Sequence, residues 1–206
     1  MSTTFDVLPG TSVVPTYKEV IELANLNINT FLSRIDVQKK MSLSVDIQNI
    51  ATHEQKIFNV TDIMISDEEH YAWFYFDNVP GGTDCYYYKN IPIDREIWED
   101  ELRTNLNAQK KQDIIKNNLN LGYRWVFRRS AGQPGIIALS YGMLAASLAE
   151  LTNGIIYTDD GAWDYSLFPT TADDFLKWYF RPELASNEDC KTFAQDCINF
   201  LRDELK

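Results

Sequence analysis

Cysteine, histidine and positive charge are all scarce in this chain, and each scarcity removes a class of function. Its 206 residues hold three cysteines, two histidines, and 19 basic side chains against 30 acidic ones. Cys85, Cys190 and Cys197 are too few for a disulfide scaffold. Cys190 and Cys197 stand seven apart in a helical stretch. That is ~10 Å at the usual rise, too far for a disulfide. A reducing cytoplasm is the setting that fits. His53 and His70 have no His or Cys companion at ligand spacing, and H-E-x-x-H is missing. Neither phosphate-loop pattern, G-x-x-x-x-G-K-[ST] or G-x-G-x-x-G, occurs. No metal, no cofactor and no catalytic residue is therefore expected.

The net charge of −11 argues against a nucleic-acid partner, since binding a phosphate backbone needs a basic face. It suits solubility, or a basic partner protein. Long apolar runs are missing too. The longest candidate, Ile136 to Leu151, spans 16 residues, short of the ~20 that cross a bilayer. Met1 to Pro15 lacks both the basic start and the apolar stretch of a secretory signal. No membrane association is expected.

The chain does hold apolar and aromatic residues in helical and strand periods. Its length and 45% hydrophobic content suit one domain with a real core. Residues 2–15 read as an extended lead-in. Thr16 caps a helix from Tyr17 to about Leu32 with an apolar stripe. Leu43–Ile47 alternates as a strand, Ile57–Ile65 suggests a second, and Tyr71–Phe76 is an aromatic strand expected to be covered on both faces. Pro80-Gly81-Gly82 turns into a return strand from Cys85. Residues 94–118 are helical with a break near Thr104-Asn105, and Tyr123–Arg129 is a strand. Alternation sends Arg124 and Arg128 to one face and Arg129 to the other, where pairing with carboxylates is expected.

The stretch from Gly132 to Trp163 organises the rest. Pro134 opens an apolar helix, Asn153-Gly154 stops it, Ile155–Tyr157 is a buried strand, and Asp159-Asp160-Gly161 is an acidic turn. Ala138, Gly142, Ala145 and Ala149 share one helix face, fit to lie close against a sheet. Thr170 or Thr171 then caps a helix carrying Phe175 and Trp178, and a last amphipathic helix spans residues 187–206. The pattern is α+β: a single domain over residues 1–206, a mostly antiparallel sheet with helices packed on it.

Sites stay few. Ser140 is a loose relative of the G-x-S-x-G elbow, but no strand leads into it and both histidines lie upstream. The aspartates around Gly161 do not fit an EF-hand loop. The segment 123–180 resembles the C-terminal half of immunity proteins from bacterial polymorphic-toxin, contact-dependent or type VI secretion systems. The resemblance rests on the Thr152-Asn153-Gly154 helix stop, the D-D-G-x-W turn at Asp159, Asp160, Gly161 and Trp163, and Phe175, Leu176, Trp178 and Tyr179. It implies a cytoplasmic, non-enzymatic inhibitor that blocks a cognate toxin domain one to one.

Residues 159–206 carry 11 acids against 5 bases. They supply the expected partner face: Asp159, Asp160, Trp163, Asp164, Asp173 and Asp174. Two alternatives stand beside it. One is an adaptor docking through residues 188–205, the other a small ligand-binding domain or enzyme with an aromatic pocket.

Overall fold

The computed structural model describes residues 2–185 and 187–205; Met1, Ser186 and Lys206, the last of which ends the expected final helix, lie outside them. Eight strands form the sheet: β1 (Ser2–Leu8), β2 (Leu43–Asn49), β3 (Gln55–Lys56), β4 (His70–Phe76), β5 (Thr83–Lys89), β6 (Tyr123–Ser130), β7 (Ile155–Tyr157) and β8 (Thr170–Thr171). Their order is β3-β2-β4-β5-β6-β1-β7-β8, and every neighbouring pair is antiparallel. With helices packed against it, this is the α+β architecture the patterning predicts.

The extended start is no lead-in. Thr3, Phe5 and Val7 alternate with Thr4 and Asp6, and that period places β1 inside the sheet between β6 and β7. The expected strand over Ile57–Ile65 is also corrected. Only Gln55–Lys56 pairs with β2, and Ile57 is 99% exposed. Beyond it Met64 alone is buried, and Thr16↔Ile63 is an isolated bridge.

One layer of helices covers the inner face of the sheet. Helix α1 (Tyr17–Arg34) starts on a reciprocal capping box: Thr16 Oγ1 accepts from the Glu19 N–H, and the Glu19 carboxylate accepts from the Thr16 N–H. Helix α5 (Gly135–Leu151) is buried on every side from Gly135 to Ala149, as a helix apolar all round must be. Helices α1, α6 (Ala172–Trp178) and α7 (Glu188–Glu204), with strands β1 and β6, surround it. Its small face does not lie on the sheet at Gly142: that position receives the Tyr179 ring, whose hydroxyl donates to the Ala138 carbonyl at 2.7 Å. Asn153 takes a positive φ of 48° and ends the helix.

A second, smaller helical layer lies on the other side of the sheet. The 94–118 region forms α2 (Pro92–Thr104), α3 (Leu106–Lys110) and α4 (Gln112–Leu121), broken at Asn105 as expected and again at Lys111. Trp98 of α2 packs on Tyr157 at 4.8 Å, and Asp94 pairs with Arg124 at 3.0 Å. These contacts confine the layer to the β6-β1-β7 end of the outer face. The rest of that face, over β2, β4, β5 and β6, stays open.

Candidate partner-binding face

The six residues expected to form the partner face do not come together. Asp159 and Asp160 are exposed and follow the C-terminal end of β7. Asp173 and Asp174 are exposed too, but follow Thr171, which pairs with Ile155 at the start of β7. The two acidic pairs thus stand at opposite ends of the β7–β8 ladder. Asp174 pairs with Lys177 at 2.9 Å, and its N–H is capped by Thr171. Trp163 is 3% exposed and is no surface anchor; its ring lies between Trp178 at 6.2 Å and Phe180 at 5.8 Å. Burying that large aromatic surface folds the turn back onto the α6 region. Asp164 is buried as well, its carboxylate accepting from the N–H and hydroxyl of Ser166.

The outer face of the sheet gathers what the turn does not. Register partners in an antiparallel pair project to the same side. One row therefore runs Asp46, Trp73, Asp84, Arg128, Thr4 across five strands. The next runs Gln48, Tyr71, Tyr86, Val126, Asp6, and a third places Tyr88 beside Arg124. Tyr71 stacks on Tyr86 at 5.3 Å and Tyr86 on Tyr88 at 5.8 Å. Arg128 lies over the Tyr86 ring at 5.4 Å, and its Nε donates to the Asp84 carboxylate at 2.6 Å. Trp73, Tyr75 and Tyr86 are half-buried, and Tyr88 is exposed. The expectation that Tyr71–Phe76 is covered on both faces fails at Trp73 and Tyr75.

Electrostatics keep these side chains in defined states. Burial and the Asp84 charge push the Tyr86 hydroxyl up to about 12, so it remains a donor at neutral pH. Tyr71 donates to Gln48 Oε1 at 2.7 Å, which anchors its hydroxyl within its own row. The arginine pairing expected from composition is present: Arg124 meets Asp6 at 3.2 Å and Asp94 at 3.0 Å, and Arg128 pairs with Asp84. Arg129 differs. It turns inward between the rings of Tyr141 and Phe193, at 5.1 and 5.3 Å.

The acidic turn returns here as a rim. Asp160 accepts from the Thr4 hydroxyl at 2.9 Å, and Thr4 is the register partner of Arg128. Asp160 therefore borders the aromatic rows. The signal was present in the chain. In Tyr71–Phe76 the residues carrying a polar handle (Tyr71, Trp73, Tyr75) alternate with those that have none (Ala72, Phe74, Phe76). That sorting marks one wet face, and reading the run as uniformly aromatic obscures it.

Elsewhere the chemistry is sparse. His70 Nδ1 meets Asp67 Oδ1 at 2.5 Å in a turn, and hydrogen bonding to His70 holds Asp67 down at about 2. The carboxylate oxygen that meets His70 also accepts the Glu69 N–H, as turn-forming aspartates do. Among the described residues no group of three or more His, Cys, Asp or Glu is placed to hold a metal. Ser140 is buried and donates to the Ile137 carbonyl. A cavity of about 340 Å³ touches Tyr86, Tyr88, His70 and Ile91 at the edge of the aromatic face. No described helix is long and apolar enough to cross a membrane. Comparison with known proteins adds no likeness: no family model, no curated protein and no solved structure matches the chain.

Proposed function

We propose that this chain is a stoichiometric binding protein, an immunity protein that blocks a cognate toxin domain in the cytoplasm. It binds through the open outer face of its sheet. The observation that carries this reading is the preformed array of Trp73, Tyr75, Tyr86 and Tyr88 with Arg128, backed by the buried Tyr71 that stacks on Tyr86. Tyr, Trp and Arg are the side chains that dominate binding energy at protein interfaces. Held on strands and stacked on one another, they lose little freedom on binding. Asp46 at one end of the first row and Asp160 at the other give the face an acidic border, and the net charge of −11 extends that sign over the molecule. A basic toxin domain is the complementary partner.

The adaptor alternative has less support. Helix α7 turns Ala194, Cys197, Ile198 and Leu201 inward, which leaves Phe200 as its one exposed large apolar residue. An enzyme would need converging reactive groups in a cavity. Among the described residues, the Asp67–His70 pair is hydrogen-bonded to the Lys56 amine and the Glu69 N–H, and to no serine, threonine or cysteine.

The test is co-expression. A partner domain that kills cells should be tolerated when the wild-type chain is present, and calorimetry should give 1:1 binding with a Kd near nanomolar, about −12 kcal/mol. A Trp73→Ala, Tyr86→Ala double variant that folds should fail to protect. Full protection by that variant, or a partner with no toxicity, would defeat the reading.

A further inference from the structure

Three arginines converge on one cavity of the helical layer, on the far side of the sheet from the aromatic face. The cavity holds about 250 Å³ between the end of α1, the Phe180–Glu183 segment and one face of α7. Arg34, Arg181 and Arg202 line it, with Glu183 the single acid. In a chain with 30 acids, none of the three has a carboxylate within ion-pair reach among the described residues.

Arg34 and Arg202 are exposed at the cavity mouth, and scaffold contacts orient both of them toward it. Arg34 lies over the Phe31 ring at 4.6 Å, and Arg202 Nε donates to the Ile35 carbonyl at 3.1 Å. The Nε of Arg181 is buried and has no hydrogen-bond partner among the described residues. A buried donor left unmet is costly, and the exposed charges of Arg34 and Arg202 add to the positive field around it. Burial and the nearby Arg181 charge depress Arg34 below the usual arginine value, with Glu183 opposing.

We propose that this cavity is a binding site for a phosphate monoester carrying a small apolar body. The lining carries a formal charge of +2, three guanidinium groups less one carboxylate. A phosphate monoester at neutral pH brings −1.5 to −2, which matches it, and its oxygens suit the forked donors of arginine. The apolar body has a place to lie. A groove of about 590 Å³ adjoins the cavity, sharing Ile35 and Arg202, and is lined by Val37 and Leu205. The site is independent of the aromatic face, and of the toxin-blocking reading.

Calorimetry on the full chain at low ionic strength tests this, with phenyl phosphate, inorganic phosphate and phenol as probes. Phenyl phosphate should bind 1:1 in the millimolar range or tighter, inorganic phosphate about tenfold more weakly, and phenol not measurably. Arg181→Gln and Arg34→Gln should each weaken phenyl phosphate by about tenfold, the worth of one charge-assisted hydrogen bond. Glu183→Gln should tighten it, and keeps the test open if an arginine variant does not fold. Tyr86→Ala should leave it unchanged. No saturable heat, equal binding of phenol, or affinity indifferent to both Arg181→Gln and Glu183→Gln would overturn the site. Inorganic phosphate binding as tightly as phenyl phosphate would remove the apolar body from the proposal.

Discussion

The two faces of the central strands have the same period and opposite chemistry. Inward, Phe5, Phe74, Phe76 and Phe127 are each at most 2% exposed and pack under the helices. Outward, β4 and β5 carry Tyr71, Trp73, Tyr75, Tyr86 and Tyr88, aromatic rings with a hydroxyl or N–H at the edge. Phe burial is governed by transfer from water and close packing. A ring with a polar handle tolerates a wet surface and still offers a large apolar area to a partner. The difference teaches that aromatic content alone says little about function, whereas the side of the strand on which each aromatic type falls says much.

Substitutions should separate the two faces. The largest effect belongs to the inner one: Phe127→Ala should cost about 3–5 kcal/mol in urea unfolding, as buried Phe truncations do. Gly142→Ala follows. A methyl there would stand 2.3 Å from the Tyr179 ring, which the Ala138 carbonyl holds in place. A loss of about 1–3 kcal/mol is expected, against the gain of up to ~1 that alanine brings to a helix.

On the outer face the balance reverses. Tyr86→Ala should cost no more than about 1 kcal/mol of stability, the scale of a cross-strand pair. It should cost 2 kcal/mol or more in partner binding, read by calorimetry. A stability loss as large as that of Phe127→Ala would show the tyrosines to be core.

Asp6 tests the covered end of the outer face. Burial outweighs the attraction of Arg124 and, with the charges of Asp159 and Asp160, lifts its carboxyl from 3.8 to about 7. The folded state thus holds this proton more tightly than the unfolded chain. The resulting stability is fully present below about pH 4 and is lost as pH rises to about 7. Asp6→Asn should flatten that part of the pH profile in urea unfolding; an unchanged profile would place the titration elsewhere. The smallest expected effect is at the rim. Charge reversal at Asp159 and Asp160 should shift stability by no more than about 0.5 kcal/mol, while slowing partner association and weakening its salt dependence.

Much of this fold is legible in the chain because local signals agree with the packing. Thr16 and Glu19 announce α1, Asn105 breaks the middle helices, and the run from Pro134 to Asn153 writes out α5 and its stop. What stays hidden depends on distant partners. Phe5 and Val7 mark an inner strand only once Tyr141 stacks over Phe5 and β6 and β7 flank it. Ile57–Ile65 looks like a strand by composition, yet no neighbour pairs with it beyond Lys56 and the Ile63 bridge. Trp163 sits in a polar turn, where sequence suggests exposure, and is buried because Trp178, Tyr179 and Phe180 receive it. The aromatic face needed only the alternation in Tyr71–Phe76, but its width needed the register of β5 and β6.

Hydroxyl-radical footprinting of the chain alone and in complex with the proposed toxin partner would locate the bound surface directly. Binding through the outer face should protect Trp73, Tyr75, Tyr86 and Tyr88 while leaving Phe200 of α7 as reactive as before. Protection confined to α7, with the tyrosines unchanged, would contradict it.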